Sequence, residues 1–194
     1  MSDLLLYLVA AAFVQNLVLT TGFGSSMMMR IVRRPADILP FGGLLTLFTL
    51  LTVIVAYPLD SLLGTSFLAK LFRPLMMVVI ASAIYIAAYL LIRKSVRLSR
   101  RIRHLLPLAA FNNVVIGVAL IVNHQFSVSF SGAVGLAIGA SIGFVLLALV
   151  LAEGMQRADH PAMPGAFRGM PASLLYMGIL ALALLGFSGN VSFV

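Results

Sequence analysis

The sequence LLPLAAFNNVVIGVALIV, residues 105–122, combines two features that conflict. It is apolar over nearly the length of a membrane crossing, yet two adjacent amides, Asn112 and Asn113, stand near its middle. An amide that is buried without a hydrogen-bond partner costs about 2–7 kcal/mol. The sequence therefore predicts that both side chains find partners inside a bundle of membrane helices.

A second pair of amides, Gln15 and Asn16, lies in the middle of the first apolar segment. The same energetic argument applies to this pair. We predict that the two polar centres, Gln15-Asn16 and Asn112-Asn113, face one another within the bundle. The function is then expected at or near their meeting point.

The composition is that of one integral membrane domain, residues 1–194. Of the 194 residues, 62% are hydrophobic and only 9% are charged, whereas a soluble domain carries about 25% charged residues. The mean hydropathy is +1.13. The net charge of +8 is expected in loops beside a lipid bilayer and not in a nucleic-acid interface. The absence of cysteine excludes disulfides, thiol catalysis and a cysteine-held metal within this chain.

Six segments have about the 20 apolar residues that a membrane-spanning helix needs. Their predicted bounds are residues 4–29, 38–59, 74–92, 105–122, 132–152 and 171–189. The first segment is too long, because a helix over residues 4–29 would span about 39 Å against a hydrocarbon core of about 30 Å. The sequence TTGFGSS at residues 20–26 predicts a break there, since glycine weakens the helix and hydroxyls can satisfy freed backbone groups.

Basic residues predict the orientation. Six crossings place the first, third and fifth loops on one side, and these loops hold eleven Lys and Arg residues against two on the other side. The first, third and fifth loops should therefore be cytoplasmic and both termini external. The basic third loop has a second interpretation, contact with anionic lipid headgroups, although a topology signal is the simpler one.

The six segments divide into two sets of three, residues 1–95 and 96–194. Each half opens with an amide-bearing helix, QNLVL at residues 15–19 and NNVVI at residues 112–116. This alignment pairs Gln15 with Asn112 and Asn16 with Asn113. Three crossings make the second half enter the membrane from the opposite face, so we predict an all-α fold of two inverted three-helix repeats, with the first and fourth helices broken. Coincidence over five positions is the alternative.

Three glycines, Gly135, Gly139 and Gly143, recur at a spacing of four in the fifth segment. Small residues at this spacing form a flat stripe along a helix, which lets a neighbouring backbone approach closely. The stripe predicts a helix-packing surface.

Two stretches, NLVLTTGFGSSMM after Gln15 and LPLAAFNN at residues 106–113, carry a resemblance to a known family, the RnfA/NqrE family of membrane subunits. NLVLTTGFGSSMM after Gln15 is similar to the family's NNFVL…LGLC stretch, and LPLAAFNN at residues 106–113 is similar to its LPLxTxNC motif. Gly143-Phe144 and Glu153 fall where the family has its GF and RE residues. The sequences PGAFRG at residues 164–169 and GFSG at residues 186–189 resemble the family's ending. The resemblance covers nearly the whole chain in order.

The resemblance implies a membrane subunit of an ion-translocating Rnf- or Nqr-type electron transport complex in the bacterial inner membrane. Such a subunit is not an enzyme by itself. It pairs with a homologous RnfE/NqrD-like subunit of opposite orientation and with other subunits of the complex. The family fold is six transmembrane helices in two inverted three-helix repeats, and the coupling ion, Na⁺ or H⁺, stays open.

The family pair holds one [2Fe-2S] cluster with two cysteines from each subunit, and those positions fall here at Ser26 and Asn113. A hydroxyl and a neutral amide are poor substitutes for thiolate, so we expect neither to be a ligand and no cofactor to be bound by this chain alone. The alternative is a cluster held mainly by the partner. Gln15, Asn16 and Asn112 would form a polar membrane core that braces the broken helices or lines an ion path.

Other chemistry is not indicated by the sequence. The acidic residues fall at segment ends or in loops, and the three histidines fall in different loops on both sides of the membrane, so no metal site is expected. The alternative function is a small transporter-like or scaffold membrane protein that kept the inverted-repeat fold without redox work.

Overall fold

The computed structural model describes residues 2–14, 16–63, 67–94, 100–124, 128–158, 164 and 167–188. Within these ranges the chain is helical apart from short turns. The α-helices, in chain order, are α1 Ser2–Val9, α2 Leu17–Thr21, α3 Ser25–Val32, α4 Ile38–Leu63, α5 Phe67–Lys94, α6 Arg100–Ala110, α7 Asn113–His124, α8 Phe130–Ala158 and α9 Met170–Ser188. A π-helical turn, Ala10–Val14, follows α1, and a 3-10 turn, Pro35–Asp37, precedes α4.

Four helical stretches of the described chain are long and apolar enough to cross a membrane. They are Pro35–Asp60, Leu71–Ile92, Ile102–Val122 and Phe130–Gln156, and they match the second to fifth segments predicted from the sequence. Two shorter apolar helices, Asp3–Phe13 and Met170–Leu184, lie within the first and sixth predicted segments. The lengths and compositions indicate an all-helical, multi-pass membrane protein.

The first apolar segment is broken twice. The predicted break at residues 20–26 is present, because α2 ends at Thr21 and α3 begins at Ser25. Gly22 and Gly24 have φ angles of +74° and +78°, a region that glycine enters without the steric cost of a Cβ atom. A second break, which the sequence analysis did not predict, precedes α2 at Asn16. The predicted polar residue Gln15 lies outside the described residues.

The fourth segment is broken between α6 and α7, as predicted. The Pro107 carbonyl accepts a hydrogen bond from the Phe111 N–H at 3.1 Å, and the Ala109 carbonyl accepts one from the Asn112 N–H at 3.3 Å. The second bond spans three residues instead of four, so the end of α6 tightens. The chain leaves the helix at Phe111 and Asn112, and α7 restarts at Asn113.

Contacts at the two ends of the bundle show at which end each loop lies. At one end, the Ser129 hydroxyl donates to the Asp3 carboxylate at 3.1 Å, and the Tyr57 hydroxyl donates to the Val128 carbonyl at 3.1 Å. These bonds join the N-terminus, the end of α4 and the start of α8. At the other end, Arg30 and His104 line one cavity. The first and third loops therefore share an end that the N-terminus does not, as alternating crossings require.

The core lies between α8, α4 and the broken helices. Phe41 and Phe144 are almost fully buried there, with ring centroids 5.5 Å apart. By contrast, α5 and α9 expose large apolar side chains, and Leu91 and Leu182 are 72% and 71% exposed. An apolar surface of this kind belongs against lipid or another membrane subunit and not against water.

The glycine stripe of α8 packs on α1 as predicted. A Cβ atom at Gly135 would collide with the Leu4 carbonyl oxygen, and one at Gly139 would collide with the Leu8 carbonyl oxygen. One turn further, a Cβ atom at Gly143 would lie 2.8 Å from the carbonyl oxygen of Ala12 in the π-helical turn. Three successive glycines thus meet backbone atoms four residues apart, so the two backbones are in direct contact.

Replacing Gly139 with alanine should lower the free energy of unfolding by about 1–3 kcal/mol, because the new methyl group must push α1 away from α8. Alanine is otherwise the better helix former by about 1 kcal/mol, so a decrease in the free energy of unfolding can be attributed to the contact with α1. The matched control is Gly43→Ala in α4, where an added Cβ has nothing within 4 Å. Unfolding by SDS in mixed micelles measures both; equal effects would contradict the predicted close contact.

Candidate functional site

Asn16 starts α2 and ties it to α8. Its side chain is buried, with the residue 4% exposed. The Oδ1 atom accepts a hydrogen bond from the Val18 N–H at 3.1 Å, which satisfies a backbone donor that a helix start leaves without a partner. The Nδ2 atom donates to the Gly143 carbonyl at 3.0 Å. Both halves of this amide are therefore used, one within the broken helix and one across to the glycine stripe.

Asn112 starts α7 in the same way. It is 2% exposed, and its Oδ1 atom accepts a hydrogen bond from the Val114 N–H at 2.9 Å. Its backbone carbonyl accepts from the Val115 N–H at 3.0 Å. Within the described part of the chain, the Asn112 Nδ2 atom is buried and has no hydrogen-bond partner. This cap is therefore satisfied on its acceptor side only.

The two caps are equivalent, but in a register that differs by one residue from the sequence alignment. Asn16 and Asn112 each accept from the N–H two residues on, so the geometry pairs Asn16 with Asn112. The alignment had paired Asn16 with Asn113. Two adjacent amides look alike in sequence, and only the one that precedes the first helical residue can act as a cap.

The breaks of the first and fourth segments contact each other through glycine. A Cβ atom at Gly24 would lie 2.8 Å from Asn112 Oδ1 and 2.8 Å from Val114 Cγ2. The ring of Phe23 rests on Gly117 of α7, where no side chain intervenes. The meeting point predicted from the amides thus involves Asn112 and the Gly22–Gly24 turn. The Asn16 amide instead binds Gly143 on α8.

Ser26 and Asn113, the two positions singled out from the family motif, flank this contact. Ser26 lies two residues beyond Gly24, and Asn113 lies between Asn112 and Val114. Both are exposed. Phe111, which precedes Asn112 in the sequence, is 47% exposed. Three exposed residues, with a hydroxyl, an amide and an aromatic ring, therefore lie within two positions of the contact along the chain.

Replacing Asn16 with alanine should lower the free energy of unfolding by about 1–3 kcal/mol, since it leaves the Val18 N–H buried without its acceptor and removes the bond to the Gly143 carbonyl. The matched control is Gln156→Ala, which removes an exposed amide from α8 and should change stability by less than about 0.5 kcal/mol. Thermal unfolding of the purified proteins in one detergent compares them. If both variants unfold like the parent protein, the capping role of Asn16 is wrong.

A buried ion pair joins α4 to α5, and the sequence analysis missed it. Arg73 Nε donates to Asp60 Oδ1 at 2.6 Å, with the two side chains 7% and 8% exposed. Asp60 was expected at a segment end, and it does lie near the end of α4, but it is not solvated there. A signal was present, since Asp60 is the only acid between the second and third predicted segments and Arg73 is one of the two bases there.

A metal site is not assembled by the described residues. Among them, no group of three or more His, Cys, Asp or Glu side chains comes together. His104 is exposed at the start of α6, and His124 ends α7, while His160 lies outside the described residues.

Comparison with known proteins identifies the family. A family model described as "Rnf-Nqr subunit, membrane protein" matches residues 4–191. The chain belongs to the Rnf-Nqr family. The family model covers both broken segments and the ending, in agreement with the resemblance of residues 106–113 and 164–169 to family motifs.

Curated relatives of this Rnf-Nqr chain are similar along its whole length. A subunit of the ion-translocating oxidoreductase complex of Syntrophotalea carbinolica is 31% identical over 193 residues, covering 98% of this chain and 99% of the relative. A subunit of the Na⁺-translocating ferredoxin:NAD⁺ oxidoreductase complex of Acetobacterium woodii is 29% identical over 190 residues, covering 96% and 97%. The corresponding subunit of the ion-translocating oxidoreductase complex of Alcanivorax borkumensis is 29% identical over 192 residues, covering 98% and 99%.

We call the contact of the Gly22–Gly24 turn with Asn112 the junction. The residues at the junction of this Rnf-Nqr chain do not fit the [2Fe-2S] cluster that the family resemblance implied. Such a cluster needs thiolate ligands, and the chain has no cysteine. The groups exposed beside the junction are a hydroxyl and a neutral amide, Ser26 and Asn113. Neither is a soft anionic donor. The donor set of this chain therefore provides no ligand of the family's type.

Proposed function

We propose that this chain is a membrane subunit of an ion-translocating, Rnf/Nqr-like electron transport complex in the bacterial inner membrane. The observation that carries the proposal is the contact between two broken helices, Gly24 against Asn112, and the neighbours of these residues in the sequence, Ser26 and Asn113, are exposed. These are the positions at which the family resemblance places the cluster cysteines. The names of full-length relatives as complex subunits support the same assignment.

The proposed architecture has six crossings in two inverted three-helix repeats, with both termini external. Two observations support it. Asn16 and Asn112 cap corresponding half-helices with the same bond, Oδ1 to the N–H two residues on. The loops also sort between the two ends of the bundle as alternating crossings require, and the more basic end is expected to be cytoplasmic.

The proposed partner is a homologous RnfE/NqrD-like subunit that covers the junction. Phe111 is 47% exposed, and aromatic side chains at a surface commonly anchor an interface.

The chain's part in the complex is then to position its partner, and no redox step is assigned to its own side chains. We propose that the family cluster has been lost at this interface. The competing arrangement is a cluster held mainly by the partner's own ligands, with Ser26 and Asn113 as bystanders. In both arrangements the amide caps, Asn16 and Asn112, stabilise the starts of the broken helices.

Purification of the tagged full-length chain from its native membrane tests the assignment. We expect other Rnf/Nqr-type membrane subunits to copurify. Iron and acid-labile sulfide analysis, with EPR after reduction, then separates the two cluster arrangements. A signal that persists in the Ser26→Ala, Asn113→Ala double variant would assign the cluster to the partner alone. A chain that purifies without any other subunit would overturn the assignment and favour a transporter-like or scaffold protein.

Restoring the thiols provides a gain-of-function control. If the partner keeps two cysteines, Ser26→Cys together with Asn113→Cys should raise the iron content of the complex. The matched control is Ser82→Cys with Gln156→Cys, which adds two thiols away from the junction, on α5 and α8. Equal iron in both double variants would contradict the placement of a former cluster site at Ser26 and Asn113.

A further inference from the structure

A basic cavity lies at the end of the bundle that holds the first and third loops. Its volume is about 230 Å³, several times the roughly 30 Å³ that a water molecule occupies in the liquid. It is lined by Arg30 at the end of α3, by Arg33 and Arg34 in the following turn, and by His104 of α6. All four side chains are exposed. The cavity has room for a phosphate group together with water.

The charge of this cavity is unbalanced. Among the described residues that line it, three guanidinium groups face one carboxylate, that of Asp37. Asp37 takes part in an interaction with another group, and the lining still holds two more guanidinium groups than carboxylates. Guanidinium presents its donors in a planar fork that matches the oxygens of phosphate. The lining therefore suits an oxyanion with several acceptor atoms.

The floor of the same cavity is apolar. Ile31 and Leu105 line it and are each 4% exposed. The long apolar helix α4 begins at Ile38, four residues after Arg34. The basic rim thus lies where the apolar part of the bundle ends, which is the level of the lipid headgroups. A ligand with an anionic head and an apolar body would match both parts of the lining.

We propose that this cavity is a binding site for the phosphate group of an anionic phospholipid, held by Arg30, Arg33 and Arg34. A phospholipid satisfies the basic rim with its phosphate and the apolar floor with its glycerol and upper acyl carbons. An acidic protein segment would match the rim as well, but the rim lies at the level of the lipid headgroups, where a phospholipid places its phosphate. Free phosphate shares the chemistry of the lipid headgroup and is the second source of the same ligand group.

The test uses the full-length chain, purified with its copurifying subunits, in nanodiscs of phosphatidylcholine with a minor fraction of phosphatidylglycerol. Lipid extraction and mass spectrometry measure the phosphatidylglycerol retained. We expect Arg30→Gln or Arg34→Gln each to weaken retention about five-fold, the effect of removing one basic residue near an anionic membrane surface. Arg103→Gln is the matched control, because Arg103 is exposed on α6 at the same end and does not line this cavity.

Further measurements distinguish lipid phosphate from free phosphate and can contradict the proposal. Binding of inorganic phosphate that depends on Arg30 and Arg34, without selective lipid retention, would support the site with free phosphate as its ligand. Three results would each overturn the proposal. The first is an equal loss of lipid in Arg103→Gln, and the second is a parent protein that neither prefers phosphatidylglycerol over phosphatidylcholine nor binds phosphate. The third is that the Gln variants lose a copurifying subunit instead of lipid. Arg33→Gln, at the third arginine of the same lining, replaces either variant if that one does not fold, with the same expected loss.

Discussion

Replacing Gly24 with alanine is expected to lower the free energy of unfolding by about 2–5 kcal/mol, because two penalties coincide. The backbone there has a φ angle of +78°, which a residue with a Cβ atom adopts only at a cost. The added methyl group would also lie 2.8 Å from Asn112 Oδ1 and 3.1 Å from Phe144 Cε2. Circular dichroism during SDS titration measures the loss.

Gly22 separates the two penalties. Its φ angle is +74°, nearly the same as that of Gly24, but a Cβ atom there would have nothing within 4 Å. Gly22→Ala should therefore cost only the backbone term of about 1–2 kcal/mol. If the two alanine variants are equally destabilised, the close approach of the Gly22–Gly24 turn to Asn112 is not present in the folded protein.

Removing one partner of the Asp60–Arg73 pair should cost about 3–5 kcal/mol, because the remaining charge stays buried without its counterion. The pair is held by a 2.6 Å bond between side chains that are 7% and 8% exposed. Asp60→Asn and Arg73→Met are the informative single variants. The amount of folded protein after insertion into membranes, together with its unfolding in SDS, measures the loss.

The double variant Asp60→Leu with Arg73→Leu should be close to the parent protein, since apolar residues often replace a buried ion pair without loss. The cycle of single and double variants then gives the coupling between the two sites. Additive losses would mean that the two side chains do not interact. A surface control is Arg103→Met, which removes an exposed charge and should change stability by less than about 0.5 kcal/mol.

The features that depend on local chemistry were predictable from the sequence. The glycines of residues 20–26 indicated the break between α2 and α3, because glycine weakens a helix. The spacing of Gly135, Gly139 and Gly143 indicated a packing surface, because a period of four keeps residues on one helix face. Basic residues sorted the loops into two groups, and the structure brings the first and third loops to one end.

The features that depend on tertiary contacts were not predictable. The amide of Asn16 binds a backbone carbonyl, that of Gly143, and no side chain in the sequence marks such an acceptor. The sequence placed an amide pair at each break but did not distinguish the capping residue from its neighbour, so the alignment matched Asn16 with Asn113 whereas Asn112 makes the same cap bond as Asn16. Asp60 and Arg73 lie on separate helices, and their burial depends on how α4 and α5 pack.

The amide caps have a consequence for the evolution of this subunit. Each broken helix is started by an oxygen of its own chain, Asn16 Oδ1 or Asn112 Oδ1, and neither position is the one that the family resemblance assigns to a thiol. The starts of the two broken helices therefore stay capped whichever side chains occupy positions 26 and 113. Those two positions are free to change in the course of evolution without loss of the caps.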